Sequence, residues 1–136
     1  MTFEIFEHKA DVGIRGRGKT LEEAFEGAAL AMFSVMVDLK TVQPVETFEI
    51  EVSASDEEAL LVEWLNELLS LADLNDTVFS EFEVEISDSR LKGRAAGEKW
   101  DLKRHEPKTE VKAATYSSLS VKNENGSYVA QCIVDV

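Results

Sequence analysis

Cysteine is almost absent from this sequence, and long apolar runs are missing. The single cysteine among 136 residues, Cys132, excludes an internal disulfide and a zinc site built on a cysteine cluster. It lies in the apolar run 129–134, which predicts a buried, unreactive thiol. No apolar run reaches the ~18 residues that span a bilayer, and the first residues, with Glu4 and Glu7, lack a secretion-signal pattern. We therefore expect a cytoplasmic protein.

Basic residues are also few. Lysine and arginine total 14 against 27 aspartates and glutamates, which gives a formal net charge of −13 at pH 7. A negative surface repels a phosphate backbone and offers few of the cationic contacts that drive nucleic-acid affinity. Direct, strong binding of RNA or DNA is therefore not expected, whereas cations and basic protein surfaces would be attracted.

Common nucleotide-binding and hydrolase motifs are missing. Gly13, Gly16 and Gly18 do not fit G-x-G-x-x-G, and Lys19 and Thr20 lack the Walker spacing before them. No serine lies in a G-x-S-x-G elbow, and the two histidines are not spaced as in a metalloprotease. The motifs thus indicate neither a nucleotide site nor an ordinary hydrolase site.

Two segments have the pattern of amphipathic helices. A capping box at Thr20 is followed by apolar residues at helical intervals, which predicts a helix over 21–37. A second capping box at Ser55 opens a run with an apolar stripe of 3.6-residue period that continues to about Ala72. These segments are predicted to be the two main helices.

Strand patterns occupy much of the remaining sequence. Alternation of apolar and polar residues is typical of strands with one buried face, and Asn125 with Gly126 gives a hairpin signal. The segment 97–112 has no clear period and is predicted to be an irregular loop. The predicted strands are 3–6, 12–16, 48–52, 82–86, a return strand from Leu91, 116–121 and 128–136.

This order of elements predicts the fold class. The chain is long enough for one core, and 44% of its residues are hydrophobic. Helices and strands follow one another without repeated strand-helix-strand units. Residues 1–136 are therefore predicted to form a single α+β domain, with two main helices packed on mixed, largely antiparallel sheets of about seven strands.

Three anionic groups are candidates for a cation site. Asp135 lies at the end of the last predicted strand, and the carboxylate of Val136 follows directly. If Asp11, on the polar face of an early strand, converges there, three hard oxygen groups concentrate charge that a cation would neutralise. Calcium or magnesium suits such ligands, whereas zinc ordinarily takes His or Cys. The residues alone do not bring Asp11 to Asp135, and two separate solvated acids are the common alternative.

Four other residues are candidates for orienting a ligand or contacting a partner. His8 precedes Asp11 by three residues and could orient it or act as a base. His105 lies in the predicted irregular loop, where functional residues concentrate, and Lys112 and Tyr116 lie at its end and just beyond. For each of them a structural or solvated role is the simpler alternative.

The sequence as a whole resembles the archease family. Matching blocks occur in the same order and spacing over essentially the whole chain, which is more specific than any single motif. They are HKADVG at 8–13, LEEAF at 21–25, WLNELL at 64–69, EVKA at 110–113, TY at 115–116 and DV at 135–136.

This resemblance implies a protein cofactor of the RtcB-type tRNA-splicing ligase. Such a cofactor promotes guanylylation of the ligase's active-site histidine and so allows repeated rounds of RNA joining; it is not itself an enzyme. The resemblance further implies a divalent cation, in the first place calcium, with magnesium or manganese as alternatives. The positions that match the family's cation ligands are Asp11, Asp135 and Val136.

Two other functions stay open at this point. A stand-alone metal-dependent phosphoester hydrolase would use the same cation as a Lewis acid and His8 as the base. A chaperone or modulator of other RNA-processing enzymes would act through its acidic surface and use the cation for structure alone.

Overall fold

The computed structural model describes residues 1–8 and 10–136; Lys9, part of the HKADVG block, lies outside the described residues. The described chain has two α-helices, α1 (Leu21–Met36) and α2 (Glu57–Leu74), and a short 3-10 helix at Leu39–Thr41. Its strands are β1 (Thr2–His8), β2 (Asp11–Gly18), β3 (Glu46–Ser53), β4 (Thr77–Ser87), β5 (Arg90–Lys99), β6 (Ala113–Ala114), β7 (Ser120–Glu124) and β8 (Ser127–Asp135).

The strands form two antiparallel sheets. In the first sheet β1, β2, β8 and β6 are neighbours in that order, and β7 also pairs with β8. In the second sheet β5 lies between β3 and β4. Both helices contact strands of both sheets, so one apolar core joins all the layers. The predicted class, two helices packed on antiparallel sheets in a single domain, is confirmed.

Aromatic side chains fill the centre of this core. The ring centroids of Phe33 and Phe79 lie 5.5 Å apart, and those of Trp64 and Phe82 lie 6.2 Å apart, both in edge-to-face geometry. The Trp64 indole N–H donates to the carbonyl oxygen of Phe25 at 3.2 Å, so this fully buried side chain leaves no polar atom unpaired. These contacts join α1, α2 and the second sheet.

Both helices begin at a side-chain cap. The Thr20 hydroxyl accepts the N–H of Glu23 at 3.1 Å, as the capping box predicts. At α2 the cap is Asp56, whose carboxylate accepts the N–H of Ala59 at 2.7 Å. The box placed at Ser55 is therefore wrong by one residue. A carboxylate serves as well as a hydroxyl here, because it also complements the positive end of the helix dipole.

Helix α1 crosses the first sheet at two glycines. A Cβ on Gly27 would lie 3.0 Å from the Cα of Gly16, and a Cβ on Gly16 would lie 2.2 Å from the carbonyl oxygen of Ala24. The helix backbone therefore rests directly on β2, where no side chain fits. This contact holds α1 to one face of the first sheet.

Two predicted boundaries are wrong. The segment 97–99 belongs to β5 rather than to an irregular loop, because Gly97 packs so closely on Val78 of β4 that a Cβ would lie 1.9 Å from its carbonyl oxygen. The strand predicted over 116–121 is displaced: Ser118, with φ of 51°, lies between β6 and β7. The short β6 raises the strand count to eight rather than about seven.

The hairpin turn predicted at Asn125 and Gly126 is confirmed, and a second two-residue turn joins β4 to β5. Asp88 and Ser89 join β4 to β5 with φ of 49° and 60°, and Asn125 and Gly126 join β7 to β8 with φ of 52° and 85°. Positive φ at both central residues matches the right-handed twist of the flanking strands. No helix in the described part of the chain is long and apolar enough to cross a membrane.

Candidate functional site

The register between β2 and β8 brings Asp11 beside Asp135. These strands pair antiparallel, and their register ends with Val12 opposite Val134. Asp11 is the residue before Val12, and Asp135 is the residue after Val134, so the next position of the same register places the two aspartates opposite each other. Side chains alternate between the faces of a sheet, so both lie on the face opposite Val12 and Val134.

The neighbouring strands extend this into a row across the end of the first sheet. In β1, His8 pairs with Asp11, and in β6, Ala113 pairs with Asp135. Because directly opposite residues direct their side chains to the same face, the row presents an imidazole, two carboxylates and a methyl group. Strand pairing thus gives a geometric reason for Asp11 and Asp135 to converge, which the residues alone did not supply.

Backbone hydrogen bonds indicate that the position after Val12 and Val134 is a closely spaced one. The carbonyl oxygen of Asp135 accepts the N–H of Lys112 at 2.7 Å, and Ile133 makes both its bonds to Thr115 and Ser117 at 3.0 Å. Asp135 and Ile133 therefore direct their backbone groups away from β2. Opposite residues at such non-hydrogen-bonded positions have the closest side chains in an antiparallel pair.

The donors in this row fit a hard cation. Asp11 is half-buried and Asp135 exposed, while Val136 is half-buried and packs against the core. Carboxylate oxygens are the ligands that calcium and magnesium prefer. Within the described residues no three or more His, Cys, Asp or Glu side chains are grouped to hold a metal ion. The described side chains of the row therefore supply two carboxylates, those of Asp11 and Asp135.

His8 has an unsatisfied polar atom at this end of the sheet. Its Nδ1 is buried and has no hydrogen-bond partner among the described residues. Buried polar atoms are normally paired, so this nitrogen lies in a place that a water or a ligand group would complete. Since His8 pairs with Asp11, the structure puts it beside the candidate site, where the sequence analysis expected it.

Asn66 forms two hydrogen bonds to β6, the strand at the other side of the row, and it was not among the site residues predicted from the sequence. Its side-chain oxygen accepts the N–H of Ala114 at 2.8 Å, and its amide donates to the Ala114 carbonyl at 3.1 Å. This pair of bonds ties α2 to β6, which pairs with the end of β8. The signal in the sequence was a single asparagine between Leu65 and Leu68 on the apolar side of α2, where a polar residue needs a partner.

Lys112 and Tyr116 flank the site. Lys112 is exposed and lies next to Asp135 through their backbone hydrogen bond, and Tyr116 is 63% exposed. A cleft of about 730 Å³ lies between α2 and the segment 107–112, and its wall includes Asn66, Trp100 and Lys112. Lys112 thus belongs both to this cleft and to the surroundings of the aspartates.

His105 is a structural residue, and the expectation that it contacts a partner is wrong. Its side chain has no exposed surface. Its Nδ1 accepts the N–H of Asp101 at 3.0 Å, and its Nε2 bonds to the carboxylate of Glu98 at 3.0 Å. Burial opposes ionisation of Glu98, but hydrogen bonds from the Gln43 N–H, Arg104 and His105 outweigh it and lower the Glu98 pKa to about 2. This cluster holds the loop after β5 to the body of the protein.

Cys132 is inert, as predicted. It lies on the core side of β8, opposite Ile14, with no exposed surface. Burial raises the pKa of its thiol to about 12, so the reactive thiolate is not formed at neutral pH.

Comparisons with known proteins identify the family. The Archease protein family (MTH1598/TM1083) matches residues 3–136. The chain is 48% identical to the protein archease of Thermococcus gammatolerans and 45% identical to that of Pyrococcus furiosus, each over 139 aligned positions that cover 98% of both chains.

Solved structures have the same architecture. The solution structure of Methanobacterium thermoautotrophicum protein 1598 is similar with a TM-score of 0.87, at 40% identity over 98% of both chains. The crystal structure of an archease, described as a possible chaperone, from Thermotoga maritima is similar in fold with a TM-score of 0.65, at 18% identity over 98% of this chain and 96% of that one. The chain therefore belongs to the archease family.

Proposed function

We propose that this archease activates an RtcB-type tRNA-splicing ligase through a divalent cation held at the end of the first sheet. Activation means promoting guanylylation of the ligase and so allowing many rounds of RNA joining. The observation that supports the proposal is the β2–β8 register, since the position after its last pair, Val12 with Val134, would set Asp11 opposite Asp135. Family membership supports it, because these are the positions at which the sequence resembles the family's cation ligands.

The cation would be held by Asp11, Asp135 and the carboxylate of Val136. Calcium is the first choice for three anionic oxygen donors, and magnesium or manganese would use the same groups. When bound, the ion supplies positive charge and open coordination positions to groups of the partner enzyme. His8, through its side chain beside Asp11, would hold that carboxylate in a ligating orientation.

The composition of the row favours assistance over independent catalysis. Besides the two aspartates, its described members are His8 and Ala113, so one imidazole is the sole base in it and no nucleophile is present. A presented cation beside exposed Lys112 is better suited to arranging the groups of another active site. The net charge of −13 would draw a basic surface of the ligase toward the protein. A single, buried cysteine is compatible with work in the reducing cytosol.

The activity test compares RNA joining by a purified RtcB-type ligase at limiting concentration, with GTP and metal. The three additions are the wild-type protein, Asp11→Asn with Asp135→Asn, and a matched control, Glu51→Gln with Glu85→Gln, on the exposed face of the second sheet. We expect the wild type and the control to convert one round of joining into many, and the aspartate variant to lose this effect. Equal activation by the aspartate variant would overturn the proposed site.

Ion binding is tested separately by titration calorimetry of the protein alone with calcium, magnesium and manganese. We expect a single ion per chain for the wild type and for the Glu51→Gln, Glu85→Gln control, and none for the aspartate pair. Removing Val136 should weaken binding, because it moves the terminal carboxylate by one residue. Binding that survives in the aspartate pair would place the ion elsewhere.

A chaperone role is the second candidate, since the Thermotoga maritima archease is described as a possible chaperone. It predicts that the protein prevents aggregation of other RNA-processing enzymes and that Asp11→Asn lowers the melting temperature without a selective loss of ligase activation. The stand-alone phosphoester hydrolase predicts turnover of simple phosphate esters by the purified protein alone. Either result without ligase activation would replace the cofactor proposal.

A further inference from the structure

Strand β1 has an open edge with regularly spaced hydrogen-bonding groups. It is an edge strand of the first sheet, where it pairs with β2. Ile133 makes both its backbone bonds to Thr115 and Ser117, so its opposite residue on β2, Gly13, is left to bond β1 instead. Gly13 pairs with Phe6, and the alternation along β1 then directs the N–H and C=O groups of residues 3, 5 and 7 to the open edge.

The same edge exposes apolar side chains. Met1, Phe3 and Ile5 are 58%, 41% and 47% exposed. Ile5 pairs with the core residue Ile14, so its side chain lies on the α1 face of the sheet, beyond the part that the helix covers. Open edges in natural sheets are usually protected by lysine, proline or a covering element, and the described strand Thr2–His8 contains neither residue.

The β4 edge of the second sheet, unlike the β1 edge, is covered by side chains. Two glutamates on α1 bond to the outer edge of β4: the Glu26 carboxylate accepts the N–H of Val84 at 3.0 Å, and that of Glu22 accepts the N–H of Ile86 at 3.3 Å. These side chains take the place of a neighbouring strand. Within the described residues β1 has no comparable cover, although it is more apolar on its exposed side than β4.

Charge at this edge is locally balanced, in contrast to the whole chain. Glu4 lies 2.9 Å from Arg15 and 3.4 Å from Arg17, and the Arg15 guanidinium also covers the Phe6 ring at 4.5 Å. A surface with paired charges can approach a copy of itself despite the net charge of −13, since the repulsion of distant charges is screened by salt.

We propose that two copies of this chain pair antiparallel through β1, with Ile5 at the two-fold axis. This register places Ile5 opposite Ile5 of the second copy, Glu4 opposite Phe6 and Phe3 opposite Glu7, so no like charges are opposed. It uses all the outward N–H and C=O groups of the strand. The neighbouring register, with Phe3 opposite Ile5, would place Glu4 opposite Glu4. The dimer is a continuous sheet with both α1 helices on one face, and the Phe3 and Ile5 side chains lie between them.

The first test is the mass in solution over a range of protein concentrations, measured by sedimentation equilibrium. We expect a reversible monomer–dimer equilibrium, which Ile5→Lys weakens at least about tenfold, because the two introduced ammonium groups face each other across the axis. Leu102→Lys, at an apolar residue 77% exposed elsewhere, is the matched control and should dimerise as the wild type does. Added salt should strengthen the dimer; a site for a basic partner would instead weaken with salt.

The second test fixes the register by cross-linking. In an antiparallel hydrogen-bonded pair the opposed Cα atoms are about 5.5 Å apart, within the range of a disulfide. Ile5→Cys should therefore form a covalent dimer under mild oxidation, while Phe3→Cys should not, since each introduced thiol would lie about 13 Å along the strand from its copy. Native Cys132 is buried and does not interfere.

A monomer at all concentrations overturns the proposal, as does a dimer that Ile5→Lys leaves unchanged. Equal cross-linking at residue 3 overturns the register.

Discussion

Replacing Asp135 with asparagine should change the stability of the protein in opposite directions with and without a divalent cation. Opposed side chains at a closely spaced position have Cβ atoms about 4.5–5.5 Å apart. For carboxylates about 5 Å apart the repulsion is about 0.8 kcal/mol in bulk water and about 3 kcal/mol at an effective dielectric constant of 20. Because Asp135 is exposed and Asp11 half-buried, the value lies near the lower limit, about 1 kcal/mol.

In a chelator, Asp135→Asn should therefore be more stable than the wild type by about 1 kcal/mol, which raises the melting temperature by about 4 °C in a chain of this length. With calcium at about 100 times its dissociation constant, the wild type gains about 2.7 kcal/mol, and the variant, which lacks a ligand, gains much less. The order of melting temperatures should then reverse.

Differential scanning calorimetry in chelator and in calcium measures both effects. Asp88→Asn is the matched control: it removes the same charge in the β4–β5 turn, and asparagine tolerates the positive φ of 49° at that residue. The control should show no reversal. If Asp135→Asn lowers the melting temperature in chelator, or responds to calcium as fully as the wild type, the two carboxylates do not share a cation.

Three further predictions concern the framework around the site. Asn66→Ala should lower the free energy of unfolding by about 2 kcal/mol in urea titrations, because it removes both bonds to Ala114; equal stability would show that water replaces them. Gly16→Ala should cost about 1–3 kcal/mol in the same assay, since its Cβ meets the α1 backbone at 2.2 Å, and an unchanged midpoint would contradict that contact. The pKa of Glu98 is lowered from its ordinary value of 4.5 to about 2. The ionised Glu98 carboxylate therefore contributes fully to the free energy of unfolding above pH 4.5, and this contribution is lost as pH falls toward 2. The stability difference between wild type and Glu98→Gln should narrow over that interval in melting curves at stepped pH.

Elements with local determinants could be predicted from the sequence. The Thr20 cap and the turn at Asn125 and Gly126 depend on hydrogen bonds or dihedral angles within four residues, and the structure contains both. Strand β6 and the end of β5 could not be predicted, because a strand ends where its partner ends. Gly97 has no strand preference of its own, and its place in β5 depends on Val78 of the neighbouring strand.

The prediction of site residues from the sequence has a similar limit, as the loop before β6 shows. His105 was a reasonable candidate in a polar segment, yet its environment is set by Glu98 and by the backbone of Asp101, which periodicity cannot reveal. Asn66 was passed over because it lies inside a helix with a clear apolar stripe. In both cases a polar side chain on a buried surface was the informative feature, since such a group requires a partner from another element.

The position of the aspartates depends on apolar residues that carry no chemistry. Ile14 and Cys132 are opposed on the core face, and this pairing determines that Asp11 and Asp135 share the outer face. A shift of one residue between β2 and β8 would turn every side chain of one strand to the other face and would separate the two carboxylates. Burial of Ile14 against α1 is what opposes that shift, because a shifted strand would place a charged neighbour in the core. The candidate cation site is therefore specified as much by the alternation of apolar residues along β2 and β8 as by its two acidic side chains.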